Sequence, residues 1–270
     1  MGGYRIGACS VLMIAWSAVS FGQERGESDK AKQYLEAAAQ TYTLRSTSES
    51  RQFKLSENAI LSYTNPTRES GSIHGASWLW LDGEKPVAAC SYSIRRPYNN
   101  VMLEFSLLDA QPSVGVHEEN EIWRPDVNGL SSLDFTDVPA PRPREQQRLS
   151  QMRLLAREFQ VVCKRKGEPT VLRLLSQPLY RYKVPTEGVV DGALFAFVIS
   201  NDPELLLKIE AVSEADGTPG KWRYSFARMT SLEMEVRRKD QVVWGVEDFY
   251  ENGRSNAKEY FEAKHGKYIE

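Results

Sequence analysis

"GSIHGASWLWLDGEKP", residues 71–86, is the stretch on which the reading of the whole chain turns. A histidine, two tryptophans and an aspartate crowd around one glycine, as a binding site or a well-filled strand would have them. Strand side chains alternate between faces. That puts Ala76, Trp78, Trp80 and Asp82 on one face and Ser77, Leu79 and Leu81 on the other. A second stretch, "DGALFAFVISNDP" from Asp191, repeats the outline without a gap. Gly75 falls on Gly192, Ala76 on Ala193 and Pro86 on Pro203, while Trp78 and Trp80 fall on Phe195 and Phe197. Large aromatics at matching places in two copies read as core filling, so the stretch reads as scaffold.

The likeness runs outward from there. "FKLSENAILSYTNP" from Phe53 parallels "LRLLSQPLYRYKVP" from Leu172, and "EIW" ending at Trp123 parallels "VVW" ending at Trp244. Upstream, Leu35 is set opposite Leu154 and Ala37 opposite Ala156. Self-similarity on this scale predicts an internal duplication. Ala31, Tyr34, Leu35, Ala38 and Tyr42 recur at helical spacing, as do Leu149, Met152, Leu155, Ala156 and Phe159. Each helix is followed by alternating runs with turn signals, at Gly167–Pro169 and Lys239–Asp240 among others. The expectation is an α+β fold: two similar helix-plus-antiparallel-sheet units, an internal duplication packed into one body. The units span 23–108 and 146–248, joined by a Pro-rich connecting segment over 109–145 and followed by a polar tail over 249–270. The tail is expected to form a short helix from Ala257 to Lys264 and then to fray.

Residues 1–22 carry one charge, Arg5, ahead of an apolar run from Ile6 to Phe21 and small residues at Ser20 and Gly22. This is the pattern of a cleaved signal peptide. It predicts an exported protein, periplasmic or secreted, with no stable membrane span after cleavage. Cleavage would move the net charge from −2 to about −3, a poor balance for binding nucleic acid. Cys90 and Cys163 would then be the remaining cysteines, either bridged as a disulfide or separately buried. No CxxC or HxxxH spacing accompanies them, so neither a metal site nor a cofactor is expected.

The chain has three histidines, His74, His117 and His265, and lacks the local motifs of the common hydrolases and nucleotide-binding enzymes. Catalysis would therefore rest on carboxylates or His74, with His74, Glu104 and Asp191 as the candidates. Glu104, Glu210 and Glu233 lie in alternating strand patterns that also explain them as solvent-facing. The basic runs at 95–97, 164–166 and 237–240 sit at predicted hairpin ends, where charge blunts strand edges. What does not repeat between the copies points to Tyr63, Asn65 and His74 as ligand-binding candidates, because His74 stands where the second copy has Asp191.

The blocks "YTNP", "GASWLWLDGEKPVAACSYSI", "RLSQMRLLAREF" and "DGALFAFVISNDPELLLKIEA" resemble an uncharacterised family of exported bacterial proteins of the kind found in planctomycetes. The resemblance covers residues 30 to 248 and implies export and a shared fold. It assigns no activity and no site residue. The expected function is an exported, non-catalytic envelope protein that binds a partner, glycan or small ligand. The alternatives are a hydrolase of the kind above, or a lipophilic-ligand carrier with an apolar cavity between a helix and its sheet.

Overall fold

The computed structural model describes residues 29–65, 73–126, 130–214, 218–250 and 258–269. The signal-peptide reading of residues 1–22 lies outside them. Strand accounts for 56% of the structure and helix for 12%, with two helices among the described residues. The expected α+β class is therefore wrong, and the protein is mostly β. The alternating runs carry the architecture, while each helix is a single short element laid against a sheet.

The first half begins with helix α1 (29–40), helical from the first described residue. Then come β1 (Tyr42–Ser46), β2 (Lys54–Leu55), β3 (Leu61–Asn65), β4 (Ile73–Asp82), β5 (Lys85–Arg95), β6 (Asn100–Leu107), β7 (Ser113–His117) and β8 (Asn120–Trp123). After β9 (Ser132–Asp134), the second half opens with α2 (Glu145–Ala156), β10 (Phe159–Arg165), β11 (Glu168–Val171), β12 (Arg173–Leu174) and β13 (Tyr180–Val184). It continues through β14 (Val189–Ile199), β15 (Asp202–Ser213), β16 (Pro219–Arg228), β17 (Glu233–Arg238) and β18 (Gln241–Val246), and the last strand is β19 (Tyr260–Lys267).

Two six-stranded antiparallel sheets share one strand plan. In the first, β2 and β3 lie along β4, followed by β5, β6 and β19; in the second, β12 and β13 lie along β14, followed by β15, β16 and β9. A small sheet accompanies each, β1-β7-β8 in the first half and β11-β10-β17-β18 in the second. The helices correspond by burial: Ala31, Leu35, Ala38 and Ala39 in α1 match Arg148, Met152, Leu155 and Ala156 in α2. This is the same ungapped frame that carries Gly75 onto Gly192. The frame that sets Leu35 against Leu154 is wrong by two residues, since Leu154 is 61% exposed.

Three cores stack through the molecule. Trp78, Trp80, Phe105 and Trp123 fill the space between the first large sheet and α1 with its small sheet. Phe195, Phe197, Trp222 and Phe226 do the same in the second half. The opposite faces of the two large sheets meet each other: Leu79 and Ala89 from the first pack with Leu194, Ala196, Val198 and Leu206 from the second. Strands β4, β5, β14 and β15 are thus covered on both sides, which is why they are buried almost without interruption. The aromatics of the opening stretch face the core, as expected.

Two chain segments outside the two expected units are built into sheets. The connecting segment 109–145 supplies β7, β8 and β9. The tail supplies β19, which pairs with β6 from Tyr260↔Ser106 to Lys267↔Asn100; the expected helix over Ala257–Lys264 does not form across its described residues. Cys90 and Cys163 are not bridged, because they are buried in different cores, one beneath α1 and one beneath α2. Both should resist a thiol reagent in the native protein and react stoichiometrically in denaturant without prior reduction. A mass consistent with a Cys90–Cys163 bridge would contradict this arrangement.

Candidate functional site: a pocket between α1 and the β3–β4 edge

Strand β3 runs antiparallel to β4 with Tyr63 opposite Gly75 and Thr64 opposite His74. Alternation turns Ser62, Thr64, His74 and Ala76 toward α1, and Tyr63, Asn65 and Gly75 toward the second half. The Tyr63 ring lies flat over Gly75, where a Cβ would stand 2.2 Å from Cζ. Tyr182 covers Gly192 in the same way, at 2.5 Å. Glycine at both positions is thus a close-approach requirement rather than a turn. The Tyr63 hydroxyl then meets Ser91 Oγ at 2.8 Å, with Ser77 Oγ donating to Ser91 at 3.1 Å. Tyr182 instead donates to Glu210 Oε1 at 2.6 Å. Gly192→Ala should cost about 1–3 kcal/mol by displacing the buried Tyr182 ring, read as a lowered urea midpoint at unchanged slope. An unchanged midpoint would mean that the ring swings away freely.

Between α1 and this edge lies an open pocket of 280 Å³. Ala31, Lys32 and Leu35 of α1 form one wall, Ser62, Thr64, His74 and Ala76 the other, and Asn201 from the β14–β15 turn reaches its rim. Two of the three ligand-binding candidates, Tyr63 and His74, line it. Asn65 is fully buried and is not part of the lining.

The matching place in the second half has different chemistry. Arg148 stands where α1 has Ala31, Asp191 where β4 has His74, and Arg181 where β3 has Ser62. Arg148 Nε donates to Asp191 Oδ2 at 2.9 Å, and Arg181 Nη2 donates to the same oxygen at 2.7 Å. Arg148 also donates to the Pro143 carbonyl at 2.6 Å and the Arg142 carbonyl at 3.2 Å. Its side chain fills the inner space that is empty in the first half. A rim depression of 240 Å³ remains, walled by Glu145, Arg181, Lys183 and Asp191, with Glu84 from the β4–β5 turn where the first pocket has Asn201. The charges there are already engaged with one another: Lys183 donates to Glu145 at 3.0 Å and Arg181 pairs with it at 3.5 Å.

The three catalytic candidates do not converge. His74 faces α1, Glu104 lies on the opposite face of the same sheet, and Asp191 is locked beneath Arg148 and Arg181 in the other half. Glu104 is not solvent-facing, because the second half covers it, and Tyr260 donates to its Oε1 at 2.8 Å. Burial first, then the Glu262 carboxylate opposite it, pushes its pKa up to about 8. Glu210 is likewise buried rather than exposed. Burial alone would raise its pKa, but Lys208, Tyr182 and Arg223 outweigh that and hold it below the usual carboxylate value. Glu233 lies at the surface beside Lys164, at 2.5 Å.

Sequence reasoning passed over one cluster. His117 stacks on Tyr42 with ring centroids 4.2 Å apart, and His265 Nδ1 lies 2.7 Å from the Tyr42 hydroxyl. Burial, and then the neighbouring His117, holds His265 below the ordinary imidazole value. Placing His265 in a fraying tail hid this convergence. Among the described residues no group of three or more His, Cys, Asp or Glu side chains is arranged to hold a metal ion, and no helix is long and apolar enough to cross a membrane.

No protein-family model, no curated protein and no solved structure matches this chain.

Proposed function

We propose that the protein binds a small ligand in the pocket between α1 and the β3–β4 edge, as a non-catalytic binding protein exported by the leader read in residues 1–22. One observation carries the reading: two halves with the same strand plan treat the same place oppositely. The second half fills it with a buried Arg148–Asp191 pair, whereas the first carries Ala31 and His74 there and leaves a cavity down to Leu35 and Ala76. The inner part of that cavity is not required by the fold, since the second half keeps only the rim depression of 240 Å³, which does not reach Met152 and Ala193, the counterparts of Leu35 and Ala76. The hydrolase built on His74, Glu104 and Asp191 loses its support because those groups are apart. The lipophilic carrier is also disfavoured, because aromatic side chains fill most of the space between each helix and its sheet, and the cavity left beside α1 has Lys32, Ser62, Thr64, His74 and Asn201 in its lining.

The test is a thermal-shift panel of amino acids, neutral and acidic sugars, cell-wall fragments and fatty acids. A ligand at about 100 times its Kd should stabilise the fold by roughly 2.7 kcal/mol. Ala31→Arg combined with His74→Asp transplants the second half's plug and should abolish the shift. Ser62→Arg, at an exposed position, obstructs the mouth without disturbing the core. Shifts that survive in both variants would place binding elsewhere.

A further inference from the structure

The aromatic core of the first half runs outward to a corner that the second half builds differently. Strands β1, β7 and β19 meet there through Tyr42, His117 and His265. In the second half, the frame that carries Gly75 onto Gly192 puts Phe159 at the Tyr42 position and Ile209 at that of Tyr92. Arg238 lies opposite Phe159 as His117 lies opposite Tyr42. Phe135 packs on Phe159 with ring centroids 5.9 Å apart, where His265 meets Tyr42 at 5.5 Å. The fold therefore closes this corner with phenyl rings and a guanidinium, and has no need of a phenol and two imidazoles.

What the first half gains is a buried phenol joined to a base. The Tyr42 hydroxyl lies 2.7 Å from His265 Nδ1. Burial first, then Glu118 and Tyr34, push the Tyr42 pKa up, so the phenol keeps its proton. Burial and His117 hold His265 below the ordinary imidazole value. Its ring is then uncharged at neutral pH, and Nδ1 accepts from the phenol. Three tryptophans reach Tyr42 through a single intervening ring. Tyr92 lies 5.7 Å from Tyr42 and 6.0 Å from Trp78. Phe105 lies 5.5 Å from Tyr42, 4.9 Å from Trp80 and 5.8 Å from Trp123. A buried phenol that hands its proton to a base while losing an electron avoids leaving a charged radical in an apolar core.

We propose that Tyr42 and His265 form a proton-coupled, one-electron redox site that draws oxidising equivalents out of the tryptophan core. An indole radical cation at Trp78, Trp80 or Trp123 takes one electron from Tyr42 and returns to neutral indole. The Tyr42 O–H bond breaks, and its proton passes to His265 Nδ1. The products are a neutral phenoxyl at Tyr42 and an imidazolium at His265, whose partly exposed ring releases the proton to water. The oxidant that first takes the electron from indole is, by class, an oxygen-centred radical, which is reduced to its anion.

The experiment is flash photolysis of the intact protein. An ultraviolet pulse photoionises tryptophan, and a cobalt(III) ammine in solution captures the electron as cobalt(II). The indole radical absorbance should decay as phenoxyl absorbance rises, at a rate independent of protein concentration and slower in heavy water. Tyr42→Phe should lose a large part of the phenoxyl, the remainder arising from Trp222 and Trp244 of the second half. His265→Phe should lose a similar part although Tyr42 is still present, an outcome that packing alone would not produce. Both variants carry the residues found at the matching places of the second half, so both should fold, and their thermal midpoints check this. Phenoxyl retained in full in Tyr42→Phe overturns the assignment of the donor. Phenoxyl formed at the wild-type rate in His265→Phe overturns the proton transfer to His265. Absence of an intramolecular rise in the wild-type protein overturns the proposal whatever the variants do.

Discussion

A chain that ends at residue 257 should fail to show a cooperative thermal transition. The residues removed include β19, and β6 would lose its ladder partner along Asn100–Ser106. Tyr260 and Tyr268, both buried, would leave two aromatic-sized holes. The Trp123 indole would lose its acceptor, the Lys258 carbonyl at 2.9 Å, and Tyr42 would lose His265. Removing one buried aromatic costs about 3–5 kcal/mol. Two of them together with an unpaired sheet edge match the whole stability of an ordinary domain, roughly 5–15 kcal/mol. Calorimetry of the truncated chain tests this directly. A transition at the full-length Tm would mean that β19 is an ornament on a finished sheet, and the fraying tail read from the sequence would be right after all.

The contrast between β19 and the opening stretch shows what a sequence carries and what it hides. In residues 76–82 the alternation is local, so the faces of Trp78 and Leu79 could be assigned without knowing their partners. What covers the Leu79 face could not be, because that cover is the other half of the chain. The same gap explains Glu104 and Glu210, where alternation gave the side but took water for the neighbour. β19 is polar at most positions, and its strand character comes from β6, whose Glu104 lies 156 residues from Tyr260. In the helices, matching Leu35 to Leu154 followed residue type, whereas burial phase sets Leu35 against Met152. The pocket was half legible. Tyr63 and His74 drew attention because the repeat breaks there, but Lys32, Ser62 and Asn201 join them only through packing. Its emptiness became meaningful only beside Arg148.

Glu104 supplies the second large effect, a stability that falls as pH rises through neutrality. Its carboxyl faces Glu262 across the β6–β19 ladder, and like charges directly opposite in a sheet repel. Burial dominates and Glu262 adds to it; Asp202 acts in the same direction, while Arg95 and the Tyr260 hydroxyl oppose. The result is a folded pKa of about 8 against an ordinary value of 4.5. Between those two values the folded protein holds a proton that the unfolded chain has released. Stability is therefore greatest below the lower value and declines as pH rises through the upper one, by an amount on the order of a few kcal/mol. Glu104→Gln keeps an acceptor for Tyr260 and cannot ionise. It should already unfold above the wild-type midpoint at pH 6.5, exceed it by a margin that widens as pH rises toward about 8, and hold that margin to pH 9. Working above pH 6.5 separates this from His265, whose depressed pKa makes its penalty appear only as pH falls. Urea titrations at half-unit steps across that range decide the matter. Parallel curves would mean that Glu104 is already ionised in the folded protein, with Arg95 and Tyr260 outweighing burial and Glu262.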